Sequence, residues 1–391
     1  MISYQKALEI TQSKVKSFGT EEVHLDDALD RILAEDIFAP RDFPPFNRAA
    51  MDGIAIHIQD LEKGILSYHI IETIYAGDES FKKLASGECY KIMTGAAVPE
   101  SANIVIRNED ILFENGTAKL NINSYKVHQN IAEKGQDLKK GELVLKQAEQ
   151  INTARIGLLA ALGKHILKVQ KLPQVAVLTT GNEVVPVHQT ASATQINNSN
   201  LHLLKALFKK LNIHPIKAAH LLDDKKAIKT ALEDALKADI IILNGGVSAG
   251  DADFIPEILE ELGIQKLFHK VAIRPGKPIW CGYLYNKMVF ALPGNPFSCL
   301  VTFKIFVEPF IFSCLGIPNA DEQLPISFTR KGKTALDEFF PVLNNQKELQ
   351  YLPINGSGDI RLGLQANAIA WHPAEITDLE KGKLVFFKSI P

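Results

Sequence analysis

Cysteine is scarce and unpatterned in this chain. Its 391 residues hold four, Cys89, Cys281, Cys299 and Cys314, with no CxxC pair and no zinc-ligand spacing, which excludes a disulfide-stapled scaffold and a thiolate metal site. Four buried thiols in a reducing cytosol are expected. Charge of one sign is lacking too: 43 Lys and Arg stand against 45 Asp and Glu, a net charge of −2. Without a basic excess there is no electrostatic case for duplex binding, and no nucleic-acid partner is expected. The start, MISYQKALEI, has no basic segment followed by an apolar core. No apolar run approaches the ~18 to 20 residues needed to span a bilayer, so the chain is expected to be cytoplasmic with no membrane partner. The P-loop and Rossmann fingerprints, GxSxG and any nucleophile–base pattern are absent, which leaves usual-motif nucleotide hydrolysis, hydride transfer and acyl transfer without warrant. His202, His220 and His269 are scattered without metal-ligand spacing.

What is present is enough apolar sequence, 46% of residues, for two to four domains of about 100 to 200 residues each. A helix is expected from Ser3 to about Lys16, with Ser3 capping its first turn. The stretch APRDFPP, Ala39 to Pro45, cannot continue a helix because each proline removes a donor and biases its predecessor to extended backbone. From Gly53 to Lys140 short strands (GIAIHI, SYHIIETIY, NIVIRNED, GTAKLNI) alternate with Gly, Asn and Ser turns, the mark of a β-rich unit inserted between helices. TARIGLLAAL, Thr153 to Leu162, returns to helix and is stopped by Gly163.

From Val175 the text becomes βαβαβ: QVAVLTT, NLHLLKALFKKL, HPIKAAHLL, KKAIKTALEDAL, ADIIILNGG. Continuous Val, Ile and Leu in the strands predict a parallel sheet covered by helices on both faces. After Pro318, ISFTRK, LQYLPI, AIAWH and KLVFFKSI read as strands of a small terminal unit. The expected division is 1–44 plus 140–170, 45–139, 171–317 and 318–391.

Ligands of an open parallel sheet bind beyond the carboxyl ends of its strands. Four loops there are unusual together: Thr179 to Glu183, Gly245 to Asp253, Arg274 to Pro278, and Pro293 to Ser298. Their glycines allow close backbone approach and turn N–H groups toward one point, and Asn295 to Ser298 opens a helix, so an anionic ligand is implied. The loops also carry Glu183, Asp251 and Asp253, with Asp223 and Asp224 after the next strand, against Arg274 and Lys277. Phosphate plus Mg²⁺ accounts for both signs. Surface salt bridging, and capping of the following helix by Asp223 or Asp224, is the structural alternative.

The strings DFPPFNRAAMDG (42–53), IMTGAAVPESANIVIRNED (92–110), GGVSAGDAD (245–253), KVAIRPGKP (270–278) and LPGNPFSCLVTF (292–303) resemble the molybdopterin molybdenumtransferases, the MoeA and gephyrin C-terminal domain family. The resemblance covers nearly the whole chain in order. It implies a multidomain α/β fold: an elongated four-domain subunit with an inserted β domain, a parallel-sheet α/β molybdopterin-binding domain and a C-terminal β-barrel-like domain, usually in a homodimer. It implies insertion of molybdate into adenylated molybdopterin with Mg²⁺ and release of AMP, and the molybdopterin adenylyltransferase as a candidate partner. The dithiolene sulfurs belong to the substrate, so no reactive protein cysteine is required. The resemblance further implies that Glu183, Asp223 and Asp253 surround the metal and substrate. Asp52 and Thr94 match functional positions of the inserted-domain region. Gly245, Gly246, Ser248, Lys270, Arg274, Lys277, Pro293, Pro296 and Ser357 match substrate-binding positions, Arg274 standing where the family usually has Lys.

The chain departs from that pattern. Asn47, Arg48 and Ala49 replace Asp, Asn and Ser; Asn182 replaces the Asp of TGDE; Asn198 replaces the Asp before Ser-Asn. Ala132 and Gln136 stand in NIAEKGQD, and ALDEFFPV has no arginine. An asparagine coordinates through its amide oxygen but brings no formal charge, and so holds Mg²⁺ more weakly. Two readings follow: a transferase that tolerates these changes, and a non-catalytic molybdopterin carrier with a degenerate metal site.

Overall fold

The computed structural model describes residues 1–246, 254–319, 322–332 and 335–390, with backbone alone for residues 362 and 363. The chain forms a mixed α/β structure of two compact units. One comprises residues 35–147 and 160–163, the other residues 1–34, 148–159 and 164–391.

The smaller unit is built on a six-stranded sheet in the order Ile104–Arg107, Gly53–Ile56, Glu88–Ile92, Ser67–Ile74, Thr117–Leu120, Ile111–Glu114. Strands alternate their side chains between faces, so Ile54, Ile56, Ile104 and Ile106 enter one apolar cluster and Ala55 and Val105 the other. With both faces covered, the whole run Gly53–Ile56 is buried. Gly53 is required by close approach: a Cβ there would lie 1.8 Å from the Ile106 carbonyl oxygen.

In the larger unit the expected βαβαβ series is present. Strands β1 (Val175–Thr180), β2 (Lys217–Leu221), β3 (Ile240–Asn244), β4 (Gln265–His269), β5 (Trp280–Leu284) and β6 (Lys287–Leu292) form one sheet in the order β2-β1-β3-β6-β5-β4. Helix α1 (Ser199–Lys210) and the long helix α4 (Pro296–Leu315) cover one face, meeting Val175, Val177, Ile240, Ile242, Phe290 and Leu292. Helices α2 (Lys225–Ala235) and α3 (Ile255–Glu261) cover the other, meeting Ala176, Leu178, Ile241, Leu243, Val289 and Ala291. Two covered faces explain why these strands read as unbroken apolar runs; each buried Leu, Ile or Phe contributes about 1.5 to 3 kcal/mol.

Two expectations are corrected. The sheet is not wholly parallel: β2, β1, β3 and β6 are, but β5 and β4 run antiparallel at one edge. Leu284 pairs with Lys287 across the two-residue turn Tyr285-Asn286, with Tyr285 at φ 43°, and so tight a turn joins only antiparallel strands. The sequence also does hold an apolar segment long enough to cross a bilayer. Helix α4 has 20 residues, is apolar enough by composition to cross a bilayer, and lies mostly buried as the core helix of this unit. Its middle turn, Phe303–Val307, is π-helical, and its buried cation Lys304 pairs with Glu308 one turn on.

The N-terminal helix, Tyr4–Gln12, is capped by the Ser3 hydroxyl as expected. The terminal strands Asp337–Asn344, Ala368–His372, Leu384–Ser389 and Glu322–Pro325 form an antiparallel series. Ile273–Arg274, from the connection between β4 and β5, adds to it in parallel at Asp337–Glu338. Arg274 is thereby fixed by the terminal sheet.

Candidate functional site

The carboxyl ends of β1, β3 and β6 carry three of the four loops singled out by sequence and that of β2 carries Asp223 and Asp224, while the fourth loop, Arg274 to Pro278, lies between β4 and β5. At the end of β1, Gly181 has φ 139° and the Glu183 carboxylate folds over it, so that a Cβ on Gly181 would lie 2.9 Å from a Glu183 oxygen. The next loop closes on this one through a reciprocal pair. The Asn182 N–H donates to Asp223 Oδ2 at 3.1 Å and the Asp223 N–H donates to Asn182 Oδ1 at 3.0 Å. Glu183 and Asp223, neighbours in no sequence sense, are therefore brought to one place. Asp224 follows the structural alternative: its Oδ1 caps α2 by accepting the Ala227 N–H at 2.7 Å.

Between β3 and β6 the site has a polar floor. Asn200, in the first turn of α1, donates through Nδ2 to Asn244 Oδ1 at 2.8 Å and to the Gly294 carbonyl at 2.6 Å, while Asn244 donates to the Pro293 carbonyl at 2.8 Å. Asn200 and Asn244 are buried, yet Asn200 Oδ1 and the buried Thr180 Oγ1 have no partner among the described residues. Above them Gly245 and Gly246 take φ 97° and 62°, and a Cβ on Gly245 would lie 2.8 Å from the Thr180 carbonyl and 2.9 Å from its hydroxyl. Only glycine fits a turn this close to the strand end. Buried polar atoms without partners among the described residues, beneath a Gly-Gly turn, form a ligand-ready surface. Ser248, Asp251 and Asp253 lie outside the described residues.

Pro293 is buried, and Pro296 opens α4 behind the N-cap Asn295. Ser357 comes to this helix start from the terminal part of the chain. Asn295 Nδ2 donates to Ser357 Oγ at 2.9 Å and the Phe297 N–H donates to the Ser357 carbonyl at 3.1 Å. The positive end of the α4 dipole and the Ser357 hydroxyl thus face the same loop. Beside Ser357, Asp359 is held well below its ordinary value, first by the Arg361 side chain and then by the Asn355 and Arg361 N–H groups.

The basic loop is shaped by its backbone. Lys270 has φ 65°, its N–H donates to the Ile279 carbonyl, and the Val271 N–H donates to the Lys277 carbonyl. Gly276, at φ 102°, leaves no room for a Cβ, which would sit 2.5 Å from Thr302 of α4. Arg274 and Lys277 are exposed and make no ion pair among the described residues, which leaves both cations available to an anion.

In the smaller unit Asp52 and Thr94 form a second polar pair. The Thr94 N–H and hydroxyl both donate to Asp52 Oδ1, at 2.6 and 2.7 Å, and these two bonds lower the Asp52 pKa from 3.8. Nearby, Asn47 Oδ1 accepts the Lys134 N–H at 2.9 Å and the Asn47 carbonyl accepts the Val98 N–H. That substituted asparagine is engaged in holding its own loop.

All four cysteines are buried and free, and burial pushes every thiol upward, Cys89 and Cys299 to about 12. They are neutral and unreactive at physiological pH. Among the described residues no group of three or more His, Cys, Asp or Glu is arranged to hold a metal; the expected trio includes Asp253, outside those residues. The reading of the sequence placed Thr179 and Thr180 in a candidate loop but missed Asn200 and Asn244 as parts of the site. The available signal for Asn244 was the polar residue that ends the apolar strand β3.

Comparison with known proteins gives a consistent picture. Residues 2–163 match the family model "MoeA N-terminal region (domain I and II)" and residues 176–313 the model "Probable molybdopterin binding domain". The chain is 39% identical to the molybdopterin molybdenumtransferase of Haemophilus influenzae over 88% of its length and 84% of that protein. It is 33% identical to that of Staphylococcus epidermidis over 83% of its length and 78% of that protein. A crystal structure of the molybdopterin biosynthesis MoeA protein from Pyrococcus horikosii superposes with a TM-score of 0.85 at 32% identity, covering 100% of this chain and 99% of that one.

Proposed function

The chain belongs to the MoeA family of molybdopterin molybdenumtransferases, and from that premise we propose that it inserts molybdate into adenylated molybdopterin with release of AMP, in molybdenum cofactor biosynthesis. The observation that carries this reading is the crevice at the ends of β1, β3 and β6. There the Gly245-Gly246 turn, Thr180 and Asn200 atoms that have no partner among the described residues, and the start of α4 converge.

Each residue group has a stated task. The Gly245 and Gly246 backbone and the α4 N-terminus, held by Pro293, Pro296 and Ser357, receive oxyanion groups; Lys270, Arg274 and Lys277 answer their charge. Glu183 and Asp223, joined by Asp253 in this proposal, hold Mg²⁺. The donors fit that ion: they are hard oxygens, Glu183 is exposed without an ion-pair partner among the described residues, and Asp223 uses only Oδ2 on Asn182. Bound there, Mg²⁺ supplies neutralisation of phosphate charge. The protein's own contribution is positioning and fixed electrostatics, with no covalent step on the chain. Asp52, kept ionised by Thr94, is the functional carboxylate of the inserted region, and Ser248 provides an additional hydroxyl. The same reading makes the chain a cytoplasmic homodimer of elongated four-domain subunits with a barrel-like terminal domain, served by the molybdopterin adenylyltransferase.

The carrier alternative drew on Asn47, Asn182 and Asn198. Asn47 holds its own loop and Asn198 caps α1 by accepting the Leu201 N–H, which supports the transferase and leaves Asn182 as the substitution that bears on the metal. The experiment is AMP release from adenylated molybdopterin by the purified protein with and without molybdate and Mg²⁺. Release that requires both supports the proposal, and pterin retained without release sinks it.

A further inference from the structure

His220 and Thr179 were assigned no task by sequence, yet they stand directly behind the loop that carries Asn182 and Glu183. Thr179 Oγ1 lies 2.8 Å from Asn198 Nδ2 and 3.0 Å from His220 Nδ1, and His220 Nε2 lies 3.0 Å from the Gly181 carbonyl oxygen. Thr179 and Asn198 are buried.

The directions of the outer bonds follow from their fixed ends. The backbone N–H of Leu201 only donates, so the Asn198 atom it meets at 3.0 Å is the amide oxygen, and the atom facing Thr179 is the NH₂ group. Thr179 Oγ1 accepts there and has its own hydrogen left to give. At the other end the Gly181 carbonyl only accepts, so His220 Nε2 carries the hydrogen. In the neutral ring Nδ1 is then an acceptor, and it takes the Thr179 hydrogen. The chain runs one way: Leu201 N–H to Asn198, Asn198 to Thr179, Thr179 to His220, His220 to the Gly181 carbonyl. The Thr179 hydroxyl has one other acceptor, the Ala219 carbonyl at 3.5 Å, and the 3.0 Å approach of His220 Nδ1 makes the ring nitrogen the closer one.

We propose that Asn198, Thr179 and His220 are positioning residues, a directional hydrogen-bond chain from the N-terminus of α1 that fixes Gly181 and through it the Asn182-Glu183 loop. The inference rests on the reading of Glu183 and Asp223 as the metal-holding end of the site. It explains why an amide stands at position 198: a carboxylate would still cap α1 but has no hydrogen for Thr179. It would draw the Thr179 hydrogen to itself, and His220 Nδ1 would lose its donor. The amide at 198 and the imidazole at 220 are a matched pair.

The test uses the full chain, with ¹⁵N-labelled histidine and the His220 resonances assigned by difference from His220→Gln. The Nε2–H tautomer is expected. Thr179→Val and Asn198→Asp are each expected to displace the Nδ1 resonance, and Thr179→Ser to keep it, with all three variants melting close to the parent. In AMP release, Thr179→Val is expected to lower kcat about 10- to 100-fold, as a displaced metal loop would, with KM for the adenylated pterin unchanged and Thr179→Ser restoring kcat. An Nδ1–H tautomer or a doubly protonated ring, or an Nδ1 resonance indifferent to both substitutions, overturns the chain. An unchanged kcat in Thr179→Val overturns its positioning role. Absence of AMP release in the parent protein instead removes the functional reading, while the resonances still decide the hydrogen-bond chain.

Discussion

Asn182 and Asp223 hold each other's backbone: each side chain accepts the other's N–H, at 3.0 and 3.1 Å, and so the loops after β1 and β2 are clasped into one surface. Glu183, the next residue, is carried with them. An asparagine suits this clasp, because its amide oxygen accepts as an aspartate would without setting a further negative charge between Asp223 and Glu183.

The first prediction concerns that missing charge. Asn182→Asp keeps the acceptor for the Asp223 N–H and adds a hard anionic oxygen beside Glu183, so the Mg²⁺ concentration for half-maximal AMP release is expected to fall about tenfold. A Mg²⁺ titration of the variant checks it, and an unchanged midpoint would detach residue 182 from the metal.

Thr94→Val removes the hydroxyl donor to Asp52 and keeps the N–H donor. The Asp52 pKa, lowered from 3.8 by both bonds, is expected to rise toward that value. The sign is that of a depressed carboxylate: the Asp52–Thr94 link is fully present above 3.8 and is lost as pH falls through the lowered value. Carboxyl carbon NMR titration of Asp52 in both proteins measures the shift, and any acid limit of turnover set by Asp52 moves to higher pH with it.

Much of this was legible before the structure. The apolar runs Val175–Thr180 and Ile240–Asn244 announce strands covered on both faces, and the glycines at 181, 245, 246 and 276 mark where backbone must pass close to something. The edge strand Trp280–Leu284 was not legible as antiparallel, because Tyr285-Asn286 lacks the glycine that usually signals a two-residue hairpin. Nor was the polar floor. Asn200 looks like an ordinary helix-start residue, and its bonds to Asn244 and Gly294 span separations of 44 and 94 residues, which no local pattern encodes. Helix α4 was misjudged because Lys304 and Glu308 interrupt its apolar text, and only packing shows that they neutralise each other.

That buried pair gives a stability prediction. Lys304 and Glu308 side chains are 6% and 9% exposed and meet at 2.5 Å. Lys304→Met leaves the carboxylate buried without its cation and is expected to cost about 3 to 5 kcal/mol, whereas replacing both by apolar residues of similar volume returns most of it. Urea unfolding of the two variants separates the cases; equal losses in both would mean that the pair itself contributes the stability.

In the terminal sheet, buried His372 accepts from Arg330 at 2.6 Å on Nδ1 and donates from Nε2 to the Ile376 carbonyl at 2.7 Å, while Arg330 pairs with Glu338 at 2.5 Å. Burial, and after it the Arg330 charge, lower the His372 pKa from 6.5 against the opposing pull of the Ile376 carbonyl. A histidine kept neutral in the fold but free to protonate when unfolded stabilises above 6.5, and that contribution is lost as pH falls from there through the lowered folded value. Thermal melts from pH 8 to 5 are expected to show this loss in the parent chain and a smaller one in His372→Gln.

The measurement that bears most directly on the central claim is the molybdenum-to-pterin ratio of the product. After incubation of the purified chain with adenylated molybdopterin, molybdate and Mg²⁺, the account predicts pterin released from its AMP and carrying equimolar molybdenum, with none incorporated when either ion is omitted. Pterin recovered still adenylated and free of metal under the complete conditions would contradict it.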